Sequence, residues 1–294
     1  MTKPPPTPDE TWTMLRALNW TASYFASCGI DSPRSSAEIL LAHSLGLQRI
    51  DLYVRYDQPL QDEELRGFKS LIRRRVAREP VAYITGEREF WSMPLLVTPA
   101  VLIPRPETER LVEAAAEALP EAGTLRMLEP GSGSGAVSIA LATERPSLRI
   151  FASDRSAAAL SVAGKNAARH GVAERIEFFV GDWLCPVSDK AAFDAVVCNP
   201  PYVPSGEIDS LQPEVSRFEP RRALDGGPDG LDAVRRLAAD ALGCLKPGGT
   251  LLFEIGFDQG PAACRIVAAA GGFAAPVVLK DYAGKDRVIR VCKR

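Results

Sequence analysis

The segment Met127-Leu128-Glu129-Pro130-Gly131-Ser132-Gly133-Ser134-Gly135 constrains the fold of this 294-residue chain more than any other. An apolar run enters a turn with glycine at alternate positions, and a second apolar run leaves it with helical spacing. Glycines at a strand–helix turn let backbone N–H groups and a ligand approach each other closely. The spacing is G-x-G-x-G rather than the G-x-G-x-x-G of dinucleotide sites, and taken alone a structural turn competes with a binding loop. The residues that follow keep one rhythm to the C-terminus. Candidate strands at 124–129, 148–153, 175–180, 192–198 and 249–255 alternate with helices at about 135–143, 156–169, 229–243 and 260–270. Two final strands, about 273–280 and 286–292, are joined by Tyr282-Ala283-Gly284-Lys285. That link is too short for a parallel crossover, so the two strands pair antiparallel. The pattern predicts an α/β fold: a doubly wound, Rossmann-like sheet of seven strands with an antiparallel C-terminal hairpin.

The first third reads differently. Residues 1–9 are a Pro-rich tail, and from Thr11 to about Arg78 apolar residues recur at helical spacing. Trp12, Leu15 and Leu18 mark one helix, and Ile39, Leu40, His43 and Leu47 mark a second that starts at Asp31-Ser32-Pro33. A third, about 61–78, opens on Asp62, Glu63 and Glu64 and ends near Arg73, Arg74, Arg75 and Arg78, the order that suits the helix dipole. From Val81 to Val97, alternating residues around Gly86, Glu87 and Arg88 predict a short hairpin. A helix after Arg105-Pro106-Glu107 runs to about Leu119. The expected organisation is a small helical domain over 1–80, a β-hairpin linker over 81–104 and the sheet domain over 105–294.

Charge and cysteine usage exclude several classes. Lys plus Arg number 35 against 37 Asp plus Glu, and residues 1–90 carry 12 of each sign, so no basic domain grips a polyanion. Six scattered cysteines without a C-x-x-C pair, with only His43 and His170, argue against a metal site and for reduced thiols. No signal peptide or membrane-length apolar run is present, which predicts a cytoplasmic protein.

Four constellations carry chemistry. The glycine loop is the first. Asp154, at the end of the next strand, can accept both hydroxyls of a ribose. A helix N-cap is the competing role for Asp154, and the glycine loop beside it favours the ribose. Gly181-Asp182-Trp183 follows the third strand, where a carboxylate can accept from an adenine amino group and an indole can pack on the base. A tryptophan there is also ordinary core material. Asn199-Pro200-Pro201-Tyr202 ends the fourth strand and faces the same crevice as the glycine loop. Its Asn side-chain oxygen and the next carbonyl can accept two hydrogen bonds from one planar –NH2 group. The prolines offer no competing N–H, and the Tyr ring can lie on the bound group.

Together these residues resemble class I S-adenosylmethionine-dependent methyltransferases that methylate planar nitrogen. Further segments sharpen the likeness: Gly86-Glu-Arg-Glu-Phe-Trp-Ser92, Ile103-Pro-Arg-Pro-Glu-Thr-Glu109, Arg217-Phe-Glu-Pro220, Ala223-Leu-Asp-Gly-Gly-Pro-Asp-Gly-Leu231 and Lys280-Asp-Tyr-Ala-Gly-Lys-Asp-Arg287. They resemble the protein-(glutamine-N5) methyltransferases of peptide chain release factors, the PrmC/HemK family. The resemblance covers about residues 80–290, and the helical region before them fits the family's architecture. One departure is Glu129-Pro130, where the family shows Asp-Leu; Glu keeps the carboxylate and adds a methylene.

The resemblance implies that Glu129, Gly131, Ser132, Gly133, Ser134 and Gly135 surround S-adenosyl-L-methionine, with S-adenosyl-L-homocysteine as product. It implies that Asp154 holds the ribose, that Asp182 and Trp183 contact adenine, and that Asn199 also touches the cofactor. Asn199, Pro200, Pro201 and Tyr202 would hold the glutamine of the Gly-Gly-Gln motif of class 1 release factors, with Asn199, Pro200 and Tyr202 acting in catalysis. The expected protein is a monomer whose partner is the release factor, with no nucleic acid and no membrane. An adenine-N6 DNA methyltransferase is the alternative, since its target presents the same –NH2, but it needs a basic grip on DNA. An NAD-dependent oxidoreductase and a catalytically dead binding protein fit the motifs less well. The arginines at 73–75 and 78 read first as a solvated helix face and second as a docking surface.

Overall fold

Neighbouring residues in the strands, such as Met127 and Leu128, Val196 and Val197, or Leu251 and Leu252, point to opposite faces, and all are buried. Only a sheet covered on both sides satisfies that pattern. A computed structural model describes residues 11–120, 123–184 and 192–294. The expected tail over 1–9 and Cys185 lie outside the described residues.

The strands are β1 (Glu87–Phe90), β2 (Met93–Leu96), β3 (Leu125–Pro130), β4 (Leu148–Asp154), β5 (Ile176–Val180), β6 (Phe193–Cys198), β7 (Leu245–Glu254), β8 (Val277–Lys280) and β9 (Asp286–Cys292). The helices are α1 (Met14–Ser27), α2 (Pro33–Leu45), α3 (Asp51–Val54), α4 (Asp62–Val76), α5 (Val81–Thr85), α6 (Glu109–Ala118), α7 (Ala136–Glu144), α8 (Ala157–Arg169), α9 (Pro213–Phe218), α10 (Asp232–Cys244) and α11 (Gly260–Ala269). None is long and apolar enough to cross a membrane.

The chain forms two compact units. One holds the described residues up to Gly86 together with Pro213–Phe218, and the other holds Glu87–Gln212 with Glu219–Arg294. The second unit contains the predicted seven-stranded sheet, in the order β5-β4-β3-β6-β7-β9-β8. β3 to β7 run parallel, while β9 pairs antiparallel with both β7 and β8. Leu111 and Val112 of α6 and Val137 and Ile139 of α7 pack with Met127, Ile150, Val197 and Leu252. On the other face Val234, Leu237, Ala263 and Val267 of α10 and α11 meet Leu128, Val196, Leu251 and Phe253. The chain steps outward from β3 in one direction to β4 and β5, and in the other to β6 and β7. A topological switch point therefore lies between β3 and β6, and a crevice opens at their carboxyl ends.

The helical unit buries Leu18, Phe25, Leu40, Leu41, Phe68 and Ile72 around one core. Three expectations change here. In α2, Ala37 and Leu41 are buried while His43 is exposed, so the face is set by the 37–40–41 row rather than 39–40–43. The hairpin expected over 81–97 is confined to β1 and β2. Its turn is Trp91-Ser92, both at positive φ (53° and 55°), which suits a primed hairpin turn. Val81–Thr85 is helical, with Ile84 in the core of the first unit. The arginine cluster divides: Arg73 is exposed, as on a solvated face, while Arg74, Arg75 and Arg78 are tied into ion pairs. Arg75 is buried and pairs with Glu214 at 2.7 Å, and Arg78 reaches the same carboxylate at 2.8 Å and the Gly29 carbonyl at 2.6 Å. Arg74 pairs with Glu79 at 2.6 Å. Glu214 is 136 residues beyond Arg78, so no local pattern announces the pair.

Candidate active site

The glycine loop leaves β3 with Gly131, Gly133 and Gly135 all at positive φ (73°, 54° and 80°). The need differs by position. A Cβ on Gly135 would meet Ile139 Cδ1 at 3.1 Å and Ala163 Cβ at 3.2 Å, so this glycine lets α7 and α8 pack closely. A Cβ on Gly131 or Gly133 would meet nothing within 4 Å, because both border open space. That space is a cleft of about 560 Å³, ordinary for a small-molecule site.

Asp154 ends β4 and lines the cleft. Its Oδ2 accepts from the Gly133 N–H at 3.0 Å and its Oδ1 from the Ser156 N–H at 2.8 Å. The helix cap itself is Ser156, whose hydroxyl accepts from the Ala159 N–H at 3.2 Å. Asp154 is therefore not the N-cap of α8. Each of its oxygens keeps acceptor capacity beyond the one bond it takes.

At the end of β6, Asn199, Pro200 and Pro201 line the same cleft. The Asn199 Nδ2 donates to the Thr108 hydroxyl at 2.9 Å. Among the described residues no donor reaches Asn199 Oδ1 or the Pro200 carbonyl. The carbonyls just beyond are engaged: Tyr202 O accepts from Gln259 Nε2 at 3.0 Å and Val203 O from the Gly226 N–H at 2.9 Å. A Cβ on Gly226 would lie 2.8 Å from Pro201 O, and one on Gly230 2.4 Å from Tyr202 O. The Ala223–Leu231 segment therefore needs glycine where it lies against this turn. The Tyr202 hydroxyl donates to Glu254 Oε1 at 3.2 Å, and Tyr202 is not among the residues lining the cleft.

Two buried carboxyls stand behind the cleft. Glu254 ends β7, and burial pushes its pKa up to about 7 against the opposing pull of the Thr108 hydroxyl, Arg287 and the Tyr202 hydroxyl. Glu129 ends β3 beside Pro130. Burial pushes it up to about 8, although the Ser138 hydroxyl donates to it. Glu129, Ser132, Ser134 and Gly135 shape the loop from behind and do not line the cleft. Ser132 Oγ is buried and has no hydrogen-bond partner among the described residues.

Gly181 and Trp183 line the cleft, while Asp182 is turned to Arg155 (3.3 Å) and Arg236 (3.1 Å). Trp183 sits at φ 57° and packs partly against the core, with the Arg236 guanidinium 5.7 Å from its ring centre. Trp183 is thus both partly core and part of the cleft wall. Arg155, Arg222 and Arg236 also line the cleft, and sequence reasoning missed them. Arg236 lies on α10, about fifty residues from its partner Asp182, and nothing in its own helix marks it. Thr108 and Glu254 were missed as well. Their signals were a carboxylate closing the apolar run Leu251-Leu252-Phe253 and a hydroxyl inside the Ile103–Glu109 segment. That segment is pinned by buried Glu219, which accepts from the Ile103 N–H at 3.0 Å and from Arg105 at 2.6 Å.

Comparison with known proteins places these features in a family. Residues 16–86 match the PrmC N-terminal domain, and residues 108–212 match the methyltransferase small domain. The chain is 41% identical to the release factor glutamine methyltransferase of Geobacter sulfurreducens, over 95% of this chain and 96% of the relative. It is 43% identical to that of Moorella thermoacetica, over 96% and 99%. A solved methyltransferase from Pyrococcus furiosus shares the fold at 15% identity and a TM-score of 0.50, over 78% of this chain and 98% of that one. With such identity along almost its whole length, the chain belongs to the release factor glutamine methyltransferase family.

Proposed function

We propose that the protein transfers the methyl group of S-adenosylmethionine to the side-chain amide nitrogen of the glutamine in the Gly-Gly-Gln motif of class 1 release factors, in the cytoplasm. The observation that carries this reading is the state of the Asn199 amide. Its Nδ2 is committed to Thr108, which leaves Oδ1 and the Pro200 carbonyl as two acceptors without donors at the cleft. Two adjacent acceptors match a planar –NH2 group.

The residues present fit the cofactor. Gly131 and Gly133 border open space where a Cβ meets nothing, Asp154 can accept from ribose hydroxyls, and Trp183 offers a flat wall for adenine. Glu129 and Ser132 stand behind the loop, and their share is to keep it in shape rather than to touch the ligand. The bound cofactor supplies a methyl group already activated on a sulfonium. An amide nitrogen is a weak nucleophile because its lone pair is delocalised. Asn199 Oδ1 and Pro200 O hold both amide hydrogens, which orients the nitrogen and stabilises positive charge as it develops. No general base is needed, and the proton leaves to water after transfer. The helical unit, which carries the family's N-terminal domain, recognises the body of the release factor and contributes remote contacts that position the amide.

The test is to incubate the protein with methyl-labelled S-adenosylmethionine and either whole release factor, a Gly-Gly-Gln peptide, or adenine-containing DNA. Label on the glutamine of the whole factor, with the peptide a poor substrate, is the expected result. Label on DNA would favour the adenine-N6 alternative, and equal rates on factor and peptide would remove the recognition role of the helical unit.

A further inference from the structure

Pro200 and Pro201 carry no N–H, so the turn that presents Asn199 Oδ1 and the Pro200 carbonyl cannot fasten itself by donating hydrogen bonds there. Groups outside the turn must fix its tilt. Two side chains at and just past the end of β7 reach its last residue. Glu254 Oε1 accepts from the Tyr202 hydroxyl at 3.2 Å, and Gln259 Nε2 donates to the Tyr202 carbonyl at 3.0 Å.

Gln259 stands at the N-cap of α11, where Ser, Thr, Asp or Asn would hold the first free N–H groups of the helix. Its side chain makes no such cap. It is buried and spends its hydrogen bonds elsewhere. Oε1 accepts from the Gly256 N–H at 2.9 Å, and Nε2 donates both to Tyr202 O and, at 3.2 Å, to Gly230 O. Only one orientation of the amide fits: reversed, it would set an oxygen against two carbonyls and an NH2 against an N–H. One amide thus joins three backbones, those of the β7–α11 turn, the Asn199–Tyr202 turn and the Ala223–Leu231 segment. The joint is close-fitting, since a Cβ on Gly230 would lie 2.7 Å from Gln259 Nε2 as well as against Tyr202 O.

We propose that Gln259 is a positioning residue for methyl transfer. By holding the Tyr202 carbonyl to the Ala223–Leu231 segment, it sets where the Asn199 and Pro200 acceptors stand at the cleft. Gln259 does not line the cleft itself, so it acts through the turn. The proposal rests on the functional reading above, because the placement of these acceptors matters only where they receive an amide. It also gives the Ala223–Leu231 segment a task. Ala223, Asp225 and Gly227 form one wall of the cleft, and the turn is held against that wall.

The experiment compares Gln259→Leu, which removes every bond of the side chain, with Gln259→Glu, which keeps its shape. An ionised Glu can still accept from the Gly256 N–H but has no proton for Tyr202 O or Gly230 O. Both variants are studied at about pH 8.5, where an ordinary glutamate is ionised. Turnover on whole release factor, cofactor affinity by calorimetry, and the 13C shift of the Tyr202 carbonyl by NMR are measured for each. The carbonyl shift is expected to move in both variants. With it kcat should fall about 10–100-fold, the scale of a misplacement of about 1 Å, while cofactor affinity stays within about twofold. An unmoved shift in either variant, or wild-type kcat despite a moved shift, would overturn the proposal. A loss of cofactor affinity as large as the loss of kcat would overturn it too, because the damage would then be general. Should Gln259→Leu fail to fold, the shape-keeping Gln259→Glu decides by the same criteria. If the wild-type protein transfers no methyl group to release factor, the functional reading falls. The carbonyl shift still decides whether Gln259 holds the turn in that case.

Discussion

Both units of this protein bury glutamates, and the two that stand behind the cleft are treated unlike those held by guanidinium groups. The latter include Glu219 of the sheet unit, paired with Arg105, as well as two in the helical unit. In the helical unit Glu38 is surrounded by Arg34, Arg49 and Tyr53, and Glu214 by Arg75 and Arg78. Burial works against both charges. The hydrogen bonds from Tyr53, Arg49 and Arg34 nonetheless pull Glu38 down to about 2, and Arg75 pulls Glu214 below the usual carboxylate range. In the sheet unit Glu129 and Glu254 have hydroxyls as their hydrogen-bonding partners, and burial pushes them up to about 8 and about 7. A guanidinium beside a carboxylate settles its charge and its geometry, which is what a scaffold requires. A carboxyl held by hydroxyls behind a cleft stays sensitive to its surroundings, and such groups gather at functional sites.

The largest expected effect tests the helical half of this contrast. Arg75→Ala leaves Glu214 half-buried without its closest cation, and loss of one partner of a buried pair costs about 3–5 kcal/mol. Arg78 remains and keeps the loss toward the lower end. Urea denaturation of the variant should show the loss, and hydrogen exchange should locate it in α4 and Pro213–Phe218. A loss below about 0.5 kcal/mol, the level of an ordinary surface change, would mean that Glu214 is not held as a scaffold charge.

The sheet half has the opposite pH signature. Glu129 has its folded pKa raised from 4.5 to about 8. Its contribution to stability is full below pH 4.5 and is lost as pH rises through about 8. The loss is on the order of 3 kcal/mol, since each tenfold change in an ionisation constant is worth about 1.4 kcal/mol and relaxation relieves some of it. Glu129→Gln keeps the shape and the bond from Ser138 and cannot ionise. Denaturation midpoints taken from about pH 5 to 9 should fall more steeply for wild type than for the variant. Parallel curves would show that Glu129 does not titrate in this window.

Much of this contrast was invisible in the sequence, for a physical reason. The seven strands, the reversed β9 and the turns at Gly131–Gly135 and Asn199–Tyr202 are local patterns, written in periodicity and in turn residues. Asp154 was placed correctly at the end of β4 because strand ends are local too. The partners of these residues are not. Arg75 meets Glu214, Asn199 meets Thr108, and Asp182 meets Arg236 across 139, 91 and 54 residues, counted from their numbers. The end of the arginine-rich helix reads as solvated by composition, and only the return of Pro213–Phe218 to the helical unit makes Arg75 internal. The hairpin turn was misplaced because Gly86 looked like its centre. In fact Gly86 ends α5, and two non-glycine residues with positive φ form the turn.

Asp154 belongs to neither class, because backbone N–H groups of Gly133 and Ser156 hold it rather than cations or hydroxyls. Asp154→Ala should weaken S-adenosylmethionine binding by about 1.5–3 kcal/mol, the range for hydrogen bonds to a charged group. Calorimetry on the folded variant checks this, and unchanged affinity would remove Asp154 as the ribose anchor. The helical unit should keep its hydrogen-exchange protection, which separates a lost ligand contact from general loosening.

The smallest effect concerns Glu38, whose pKa is depressed to about 2. A depressed carboxylate contributes stability above its unfolded value of about 4.5, and that contribution is lost as pH falls toward 2. This is the mirror image of Glu129. Its magnitude is reduced because Arg34 and Arg49 are 40% and 55% exposed, so water screens both pairs. Glu38→Gln should therefore cost only about 1–2 kcal/mol at about pH 7 and less near pH 3, where the wild-type carboxylate is itself partly protonated. Hydrogen exchange over α1, α2 and α4 should report the change, with exchange over β3 to β7 unaltered. If acid instead loosens the sheet strands first, the charges of the helical unit are not what acid attacks, and the division between paired and unpaired glutamates loses its meaning for stability.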